Sequence, residues 1–181
     1  MTEAYRFDEA IRNDYLYLDP AAGAEWPGTL EVLAGNQEVF DAFLRTEKEF
    51  ALHKFAEIVE ADDAWTIIDE EGGDDDDSRP THSADRVCIL VAAVTEKYPQ
   101  VSRKAHRIRL FVSLQVAILE RYCDAMQKIV DVHGRSGVAL TEAASVRLCA
   151  VLCSALHVAS VLKEWSEDVV RCHTGAADIR P

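Results

Sequence analysis

The 181-residue sequence lacks an excess of basic residues, and we expect neither a membrane-spanning apolar run nor a secretory leader in it. It has 19 Lys and Arg against 32 Asp and Glu, so its formal net charge is −13. A surface this negative repels phosphate backbones and anionic lipids, which disfavours nucleic-acid binding and polybasic membrane attachment. No stretch approaches the roughly 20 apolar residues that a membrane span needs, and residues 1–15 lack the basic start and apolar run of a signal peptide. We therefore expect a cytosolic protein.

The cysteines show no C-x-x-C spacing, and their odd number disfavours a disulfide framework. Because they lie in apolar sequence with helical periodicity, we expect reduced and mostly buried thiols. The five are Cys88, Cys123, Cys149, Cys153 and Cys172.

The most suggestive local pattern is Cys149, Cys153 and His157, which lie four residues apart and share one helix face. A zinc ion would need a fourth ligand from elsewhere and a tighter turn than a straight helix gives. We interpret the three residues as part of a helix seam, with inert thiols whose pKa values are raised by apolar surroundings. The alternative, a small cytosolic interaction or regulatory domain with a redox or zinc site at these residues, stays open.

Motifs of catalytic and cofactor-binding sites are absent from the rest of the sequence. There is no Gly-x-Ser-x-Gly elbow and no glycine-rich phosphate loop, and no pair of carboxylates is forced into an apolar pocket by its spacing. The acidic run at 69–79, DEEGGDDDDSR, lacks the alternating ligands and terminal Glu of a calcium-binding EF-hand loop. We therefore predict no enzyme activity, no cofactor, and no catalytic, cofactor-binding or metal-binding residue.

A basic cluster stands out near the middle of this acidic chain. Its residues go round a helix instead of along one face, and no aromatic residues for base stacking lie beside it. We interpret it as a solvated helix start or an intramolecular partner of the acidic run, and not as a nucleic-acid site. The cluster consists of Arg103, Lys104, His106, Arg107 and Arg109.

The charge divides the chain into two parts. Residues 1–80 hold 22 acidic and six basic residues, a net charge of −16, whereas residues 81–181 have a net charge of +3. Residues 1–37 are rich in turn signals, and the like charges and two glycines of the acidic run predict a disordered loop at 69–80. We expect a helical-bundle domain at 38–170 that contains this loop, and a disordered tail at 171–181.

Four segments have the apolar periodicity of helices, and no segment alternates with period two for long enough to form a sheet. Ser102 and Thr141 can cap the last two helices. The apolar stripe of the third includes Ile108, Phe111, Leu114, Ile118 and Tyr122, and that of the fourth includes Val146, Cys149, Leu152, Leu156, Ala159, Leu162 and Trp165. The predicted helices cover about 39–65, 84–98, 102–132 and 141–169. The predicted fold class is all-α, an antiparallel helical bundle or rod segment with short connections.

Several short motifs follow one another along the chain in the order found in one known protein family. Residues 40–55, FDAFLRTEKEFALHKF, and DAW at 63–65 resemble the W-x-x-x-E-x-x-x-A-L-x-K-M and A-W motifs of the RINT/TIP family of vesicle-tethering subunits, with Phe43 in place of the usual Trp. VTEKY at 94–98, SRK at 102–104 and FVSLQ at 111–115 resemble its T-x-x-Y, S-R-K and F-L-x-L-Q motifs. Upstream, Phe7-Asp8, Ile11-Arg12 and Trp26-Pro27-Gly28 are similar to its F-D-x-x-I-R and Y-P-G.

Two later segments, LCAVLCSA at 148–155 and VLKEWSEDV at 161–169, resemble the family's L-C-x-x-x-N-x-x-x-x-V-L-x-x-W-x-x-x-V-F-F stretch. The resemblance covers residues 5–170 or so, whereas the polar residues 171–181 do not continue the family's aromatic helix. Proteins of this family are several times longer. We therefore expect this chain to be an interior fragment, whose truncated bundle could expose the stripe that contains Trp165.

The resemblance implies a helical-bundle subunit of the endoplasmic-reticulum (ER) tethering complex of Dsl/NRZ type, related to exocyst-like tethers. Such a subunit acts in Golgi-to-ER retrograde transport of COPI vesicles and supports SNARE assembly. The resemblance further implies a non-catalytic, peripheral protein on the cytosolic face of the ER membrane. Its partners would be other tethering-complex subunits and ER SNAREs, with no nucleic acid and no direct membrane insertion.

Overall fold

The computed structural model describes residues 7–8, 10–15, 28–29, 32, 35–68, 79–96, 101, 104–134 and 141–174. Side chains in the last of these ranges are described as far as Glu167. Most of the predicted acidic loop, residues 69–78, lies outside these ranges, as do the predicted cap Ser102 and residues 175–181 of the predicted tail.

The structure is all-α, as the sequence predicts. Throughout the described ranges there are helices and no strands, and the one β-type contact is an isolated antiparallel bridge between Ile67 and Thr81. A π-helix, Phe111–Val116, joins two of the helices, and a short one lies at Ala10–Asp14. The α-helices are α1 (Gln37–Val59), α2 (His82–Thr95), α3 (Lys104–Leu110), α4 (Ala117–His133) and α5 (Glu142–Thr174).

Helix α1 ends six residues earlier than the periodicity predicts, because the chain turns between Glu60 and Thr66. The Ala64 amide donates to the Ala61 carbonyl, and the Thr66 amide and hydroxyl both donate to the Asp63 carbonyl. Short polar side chains compete with the helical hydrogen bonds in this way. The prediction of helix as far as Trp65 is therefore wrong at its end. Helix α5, in contrast, continues four residues beyond the predicted end of the helical domain at 170.

Three helices begin at residues whose side chains accept hydrogen bonds from their first turns. The Asn36 amide oxygen accepts from the backbone amide of Glu38 at 3.0 Å. The Thr81 and Thr141 hydroxyls accept from the amides of Ala84 and Ala144, each at 3.3 Å. Such contacts pair amide groups that a helix leaves unpaired at its start. The predicted cap at Thr141 is confirmed.

The chain forms two compact units. The first consists of Met1–His53 and Val91–Leu119, and the second of Lys54–Leu90 and Glu120–Pro181. The predicted helical domain at 38–170 thus contributes to both. Buried apolar side chains of the first unit are Phe40, Leu44, Ala51, Val91, Val94, Val101, Leu110, Leu114 and Ile118, and those of the second include Phe55, Ala64, Ala84, Val87, Tyr122, Ala150, Val151 and Val158.

In the first unit, the π-helix changes which side chains of the long helical run face the core. Leu110 and Leu114 are buried on either side of its start, and Gln115 is buried with its amide donating to the Thr95 hydroxyl. The Thr95 hydroxyl in turn donates to the Val91 carbonyl at 2.6 Å. A π-turn inserts an extra residue into the helical repeat. As a result Phe111, which the regular repeat places on the apolar stripe, is exposed.

In the second unit, a chain of four buried hydroxyls connects three segments. The Thr81 hydroxyl lies 2.6 Å from that of Ser154 and 3.2 Å from that of Ser83, which lies 3.0 Å from the phenolic oxygen of Tyr122. Each of these residues is at most 1% exposed. Buried hydroxyls without partners are costly, so these groups fix one arrangement of α2, α4 and α5 within the unit.

The Tyr122 ring packs against two aromatic side chains of the same unit. It stacks nearly parallel to the Trp65 indole, with 5.8 Å between centroids, and meets Phe55 edge-on at 6.4 Å. Both geometries are favourable for aromatic pairs. The turn after α1 is therefore held against α4 by Trp65, although its own backbone is not helical.

The segment 69–78 has its two ends joined by backbone hydrogen bonds. The Ile68 amide donates to the Pro80 carbonyl at 2.9 Å, and the His82 amide donates to the Thr66 carbonyl at 3.1 Å. The Ser83 amide donates to the Ala64 carbonyl at 2.8 Å. These bonds surround the Ile67–Thr81 bridge and bring the turn after α1 to the start of α2.

The bidentate ion pair between Arg86 and Asp63 connects that turn to α2. Its two N–O distances are 2.8 and 2.7 Å. The hydrogen bonds from Arg86 hold the pKa of the Asp63 carboxyl below its ordinary value. Because the pKa is lower in the folded state, the pair stabilises the fold above the ordinary carboxylate pKa, and this contribution is lost as the pH falls through the lowered value.

Replacing Thr81 with Val should lower the free energy of unfolding by about 2–3 kcal/mol, because it removes both a helix cap and a buried hydroxyl partner. Urea denaturation followed by circular dichroism measures the change. Thr46→Val is a matched control, since Thr46 is exposed on α1 and its hydroxyl donates to the Ala42 carbonyl of its own helix. An equal loss of stability in both variants would contradict the role of the buried hydroxyl chain.

Replacing Arg86 with Met should raise the pKa of Asp63 toward its ordinary value, because the largest cause of the lowering is removed. A carbon-detected NMR titration of the Asp63 carboxyl measures this directly. The wild type should be more stable than the variant near neutral pH, and the difference should shrink as the pH falls through the lowered pKa of Asp63, because protonation of the carboxyl ends the ion pair. Arg121→Met, at an exposed arginine on α4, should leave the Asp63 titration unchanged.

Candidate interaction surfaces

The cysteines are less buried than the sequence suggests. Cys88 is buried, and its burial raises the pKa of its thiol to about 11. Cys123 and Cys149 are exposed, and Cys153 is half-buried. The expectation of mostly buried thiols is therefore wrong for Cys123 on α4 and for Cys149 on α5.

The Cys149, Cys153 and His157 ladder lies on α5, as the spacing predicts. Cys149 is exposed, and the other two side chains are half-buried. Among the residues that the structure describes, no three His, Cys, Asp or Glu side chains come close enough to share a metal ion.

Two members of the basic cluster contact α1 within the first unit. The His106 ring stacks on Phe40 with 4.1 Å between centroids. The Arg109 guanidinium lies 5.2 Å from the centroid of the same ring and forms an ion pair with Asp41 at 2.6 Å. Cation–π contact and charge pairing therefore hold the start of the long helical run on α1. Among the described residues, the ion-pair partner of Arg109 is Asp41. Arg103 and residues 69–78 of the acidic run lie outside the described residues, so pairing of the cluster with the acidic run stays a prediction.

A small exposed apolar patch lies beside these contacts. Its side chains are spaced as neighbours on one helix face, and it is formed by Ile108, Phe111 and Val112, each about half exposed. The exposed Lys104 lies one turn before Ile108 on the same helix. The apolar stripe predicted for this helix is therefore wrong about Ile108 and Phe111, whereas Leu114, Ile118 and Tyr122 of the same stripe are buried.

The larger surface is on α5, whose predicted stripe is exposed from Val146 to Ala159 and half-buried at Leu162 and Trp165. We call this surface the outer face of α5; it consists of Glu142, Ser145, Cys149, Leu152, Leu156, Ala159, Lys163 and Ser166, all exposed. Leu152 and Leu156 are 59% and 51% exposed. The opposite side of the helix is buried instead, through Ala150, Val151, Ser154 and Val158.

Both sides of α5 are apolar, so the sequence periodicity does not show which side is buried. The stretch Glu142–Glu167 contains an 18-residue window of mean hydropathy 1.8, so it is apolar and long enough to cross a membrane by length and composition. This corrects the expectation that no stretch approaches a membrane span. The same test is passed by core helices of soluble proteins, but here only 22% of the window is buried.

Comparison with known proteins assigns the family. The sequence profile of the RINT-1/TIP-1 family matches residues 1–171. The chain belongs to the RINT-1/TIP-1 family. It is 22% identical over 177 residues to a RINT1-like protein of Drosophila melanogaster, a match that covers 98% of this chain and 22% of that protein. No solved structure matches this chain.

The RINT-1/TIP-1 profile extends over both compact units and confirms the resemblance seen in the sequence motifs. This chain spans about a fifth of the length of the Drosophila relative. Two described surfaces of this RINT-1/TIP-1 family chain are exposed and apolar, namely the small patch and the outer face of α5. Both are suited to contacts with other proteins.

Thiol exposure gives a direct test of these surfaces. In a dilute solution of the chain, Cys149 and Cys123 should be alkylated by iodoacetamide at pH 8 at least about tenfold faster than Cys88, whose thiol is buried and stays protonated because its pKa is raised. Mass spectrometry of tryptic peptides measures each rate. Unfolding in urea should abolish the difference, and equal rates in the folded protein would contradict the described burial of Cys88.

Proposed function

We propose that this chain is part of a non-catalytic subunit of an ER-associated tethering complex, which acts in Golgi-to-ER retrograde transport of COPI vesicles and supports SNARE assembly. The observation that carries the proposal is the RINT-1/TIP-1 family match over residues 1–171. The order of the short motifs supports it, since they extend from Phe7 to Val169 along nearly the whole chain.

The physical character of the described residues supports a binding role over catalysis. A tether must hold partners at a distance and needs rigid elements with exposed contact surfaces, and long helices supply both. The caps at Asn36, Thr81 and Thr141 and the buried hydroxyl chain give these helices defined positions within their units.

The patch of Ile108, Phe111 and Val112 is the surface that we assign to partner subunits. Exposed aromatic and aliphatic side chains are enriched where soluble proteins bind each other. The patch is carried by a helical run fixed on α1 by the Arg109–Asp41 pair and the Phe40–His106 stack, so it is presented in a defined orientation. Lys104 at its edge favours a partner with carboxylates beside its own apolar residues.

The subunit is proposed to be peripheral on the cytosolic face of the ER membrane, held there by its protein partners. The acidic part of the chain, with its net charge of −16 over residues 1–80, opposes direct contact with anionic lipids. Attachment through other tethering subunits and ER SNAREs avoids this repulsion.

Immunoprecipitation of the tagged chain from cells tests the proposal. Immunoblotting of the precipitate should detect other ER tethering-complex subunits and ER SNAREs. An Ile108→Glu/Phe111→Glu variant should recover at least about fivefold less of them, because two apolar side chains that the partner would bury are replaced by charged ones. Recovery of neither class of protein with the unaltered chain would contradict the proposed function.

Val132→Glu is the matched control for this experiment. Val132 is 74% exposed on α4, so the change replaces an apolar side chain with a carboxylate at a position outside the patch. It should leave recovery unchanged. Equal loss in the control and the patch variant would contradict the assignment of the patch.

A further inference from the structure

The outer face of α5 has a regular spacing that the tethering role does not require. Its eight residues follow one another at alternating intervals of three and four, from Glu142 to Ser166. An average interval of 3.5 residues is the repeat that keeps two helices in contact along their length. The four central positions, Cys149, Leu152, Leu156 and Ala159, are uncharged and exposed.

We propose that the outer face of α5 binds the same face of a second copy of this chain, with the two helices antiparallel. This proposal goes beyond the proposed function and does not rest on it. A two-fold axis between the helices at this face pairs Leu152 with Leu156 of the second copy, and Leu156 with its Leu152. The same register pairs Cys149 with Ala159 of the second copy, so small residues flank a central group of four leucines.

The charges at the two ends of the face favour the antiparallel direction. Glu142 lies at its start and Lys163 near its end, and both are exposed. Antiparallel helices bring each Glu142 close to Lys163 of the second copy, whereas parallel helices would place glutamate against glutamate and lysine against lysine. Charge complementarity therefore selects one orientation of the second copy.

The local charge of α5 permits such a contact in an acidic chain. Residues 142–167 carry three acidic and two basic side chains, in contrast to the net charge of −16 of residues 1–80. Two copies can therefore approach along this helix without the repulsion that the acidic part of the chain would cause.

A lipid bilayer is a less suitable occupant of this face. The other side of α5 is packed in the second unit, where Ser154 shares a hydrogen bond with Thr81 at 2.6 Å. A membrane span would have to break that packing, and the hydroxyls of Ser154 and Thr81 would lose their partners. Contact with another protein surface leaves the packing of the unit unchanged.

Sedimentation equilibrium of the purified 181-residue chain tests the proposal. Between about 1 and 100 µM the mass should rise from the 20.1 kDa of one chain toward twice that value. Leu152→Glu should raise the dissociation constant of the dimer by about 100-fold or more, because both copies carry the substitution and two carboxylates then lie in the centre of the contact. Val132→Glu, an equal change on α4, should leave the dissociation constant unchanged.

Charge reversal tests the orientation. Glu142→Lys and Lys163→Glu should each weaken the dimer by about tenfold, because each turns two attractive pairs into two repulsive ones. The Glu142→Lys/Lys163→Glu double variant should restore the wild-type value to within about twofold. Circular dichroism should be unchanged in every variant, since all three positions are exposed.

Three results would overturn the proposal. The first is a chain that stays monomeric over the whole concentration range, and the second is a dimer that Leu152→Glu does not weaken. The third is a monomer that floats with phosphatidylcholine and phosphatidylserine vesicles and loses this binding on Leu152→Glu, which would assign the face to lipid. A dimer weakened by either single reversal and not restored by the double variant would overturn the antiparallel orientation.

Discussion

The buried hydroxyl of Thr81 is the contact on which the second unit depends. It caps α2, and its oxygen lies within hydrogen-bonding distance of Ser83 and Ser154. Thr81 is also paired by its backbone with Ile67, so the turn after α1, the start of α2 and the middle of α5 all meet at one residue. Polar groups buried this completely tolerate few alternative arrangements, because a displaced hydroxyl loses both water and its protein partner. The apolar contacts around Tyr122 are consistent with many packings, and the hydroxyl chain selects one.

Sequence periodicity was sufficient for the fold class and for most helix positions, because apolar residues at intervals of three and four form one continuous face only on a helix. It also located the cap at Thr141, where the residue type and its position agree. It did not predict the turn between Glu60 and Thr66, since Trp65 continues the apolar repeat of α1 while packing on Tyr122 from a non-helical backbone. The π-helix at Phe111–Val116 was equally hidden, because an inserted residue changes the direction of side chains without changing the composition.

The faces of α5 could not be assigned from the sequence for a different reason. A stripe can be recognised as the buried side only when the rest of the helix is polar. In α5 the residues opposite the predicted stripe are Ala150, Val151, Ser154 and Val158, which are small or apolar themselves. The hydroxyl of Ser154 is hydrogen-bonded to Thr81, which is buried in the second unit, so the side of α5 that carries Ser154 is the buried side. The expected absence of metal and cofactor sites remains a prediction.

Ile68 and Pro80 lie on either side of residues 69–78 and are joined by a backbone hydrogen bond. A change in the number of residues between them should therefore have little effect on the stability of the helices. The entropic cost of closing a chain segment grows slowly with its length, by only about 0.6 kcal/mol for each doubling. An affinity tag or a fluorescent protein inserted there would leave both chain termini untouched, and it would extend from a point fixed at the start of α2. Related genes could gain or lose codons in this segment over evolutionary time with little selection against the change.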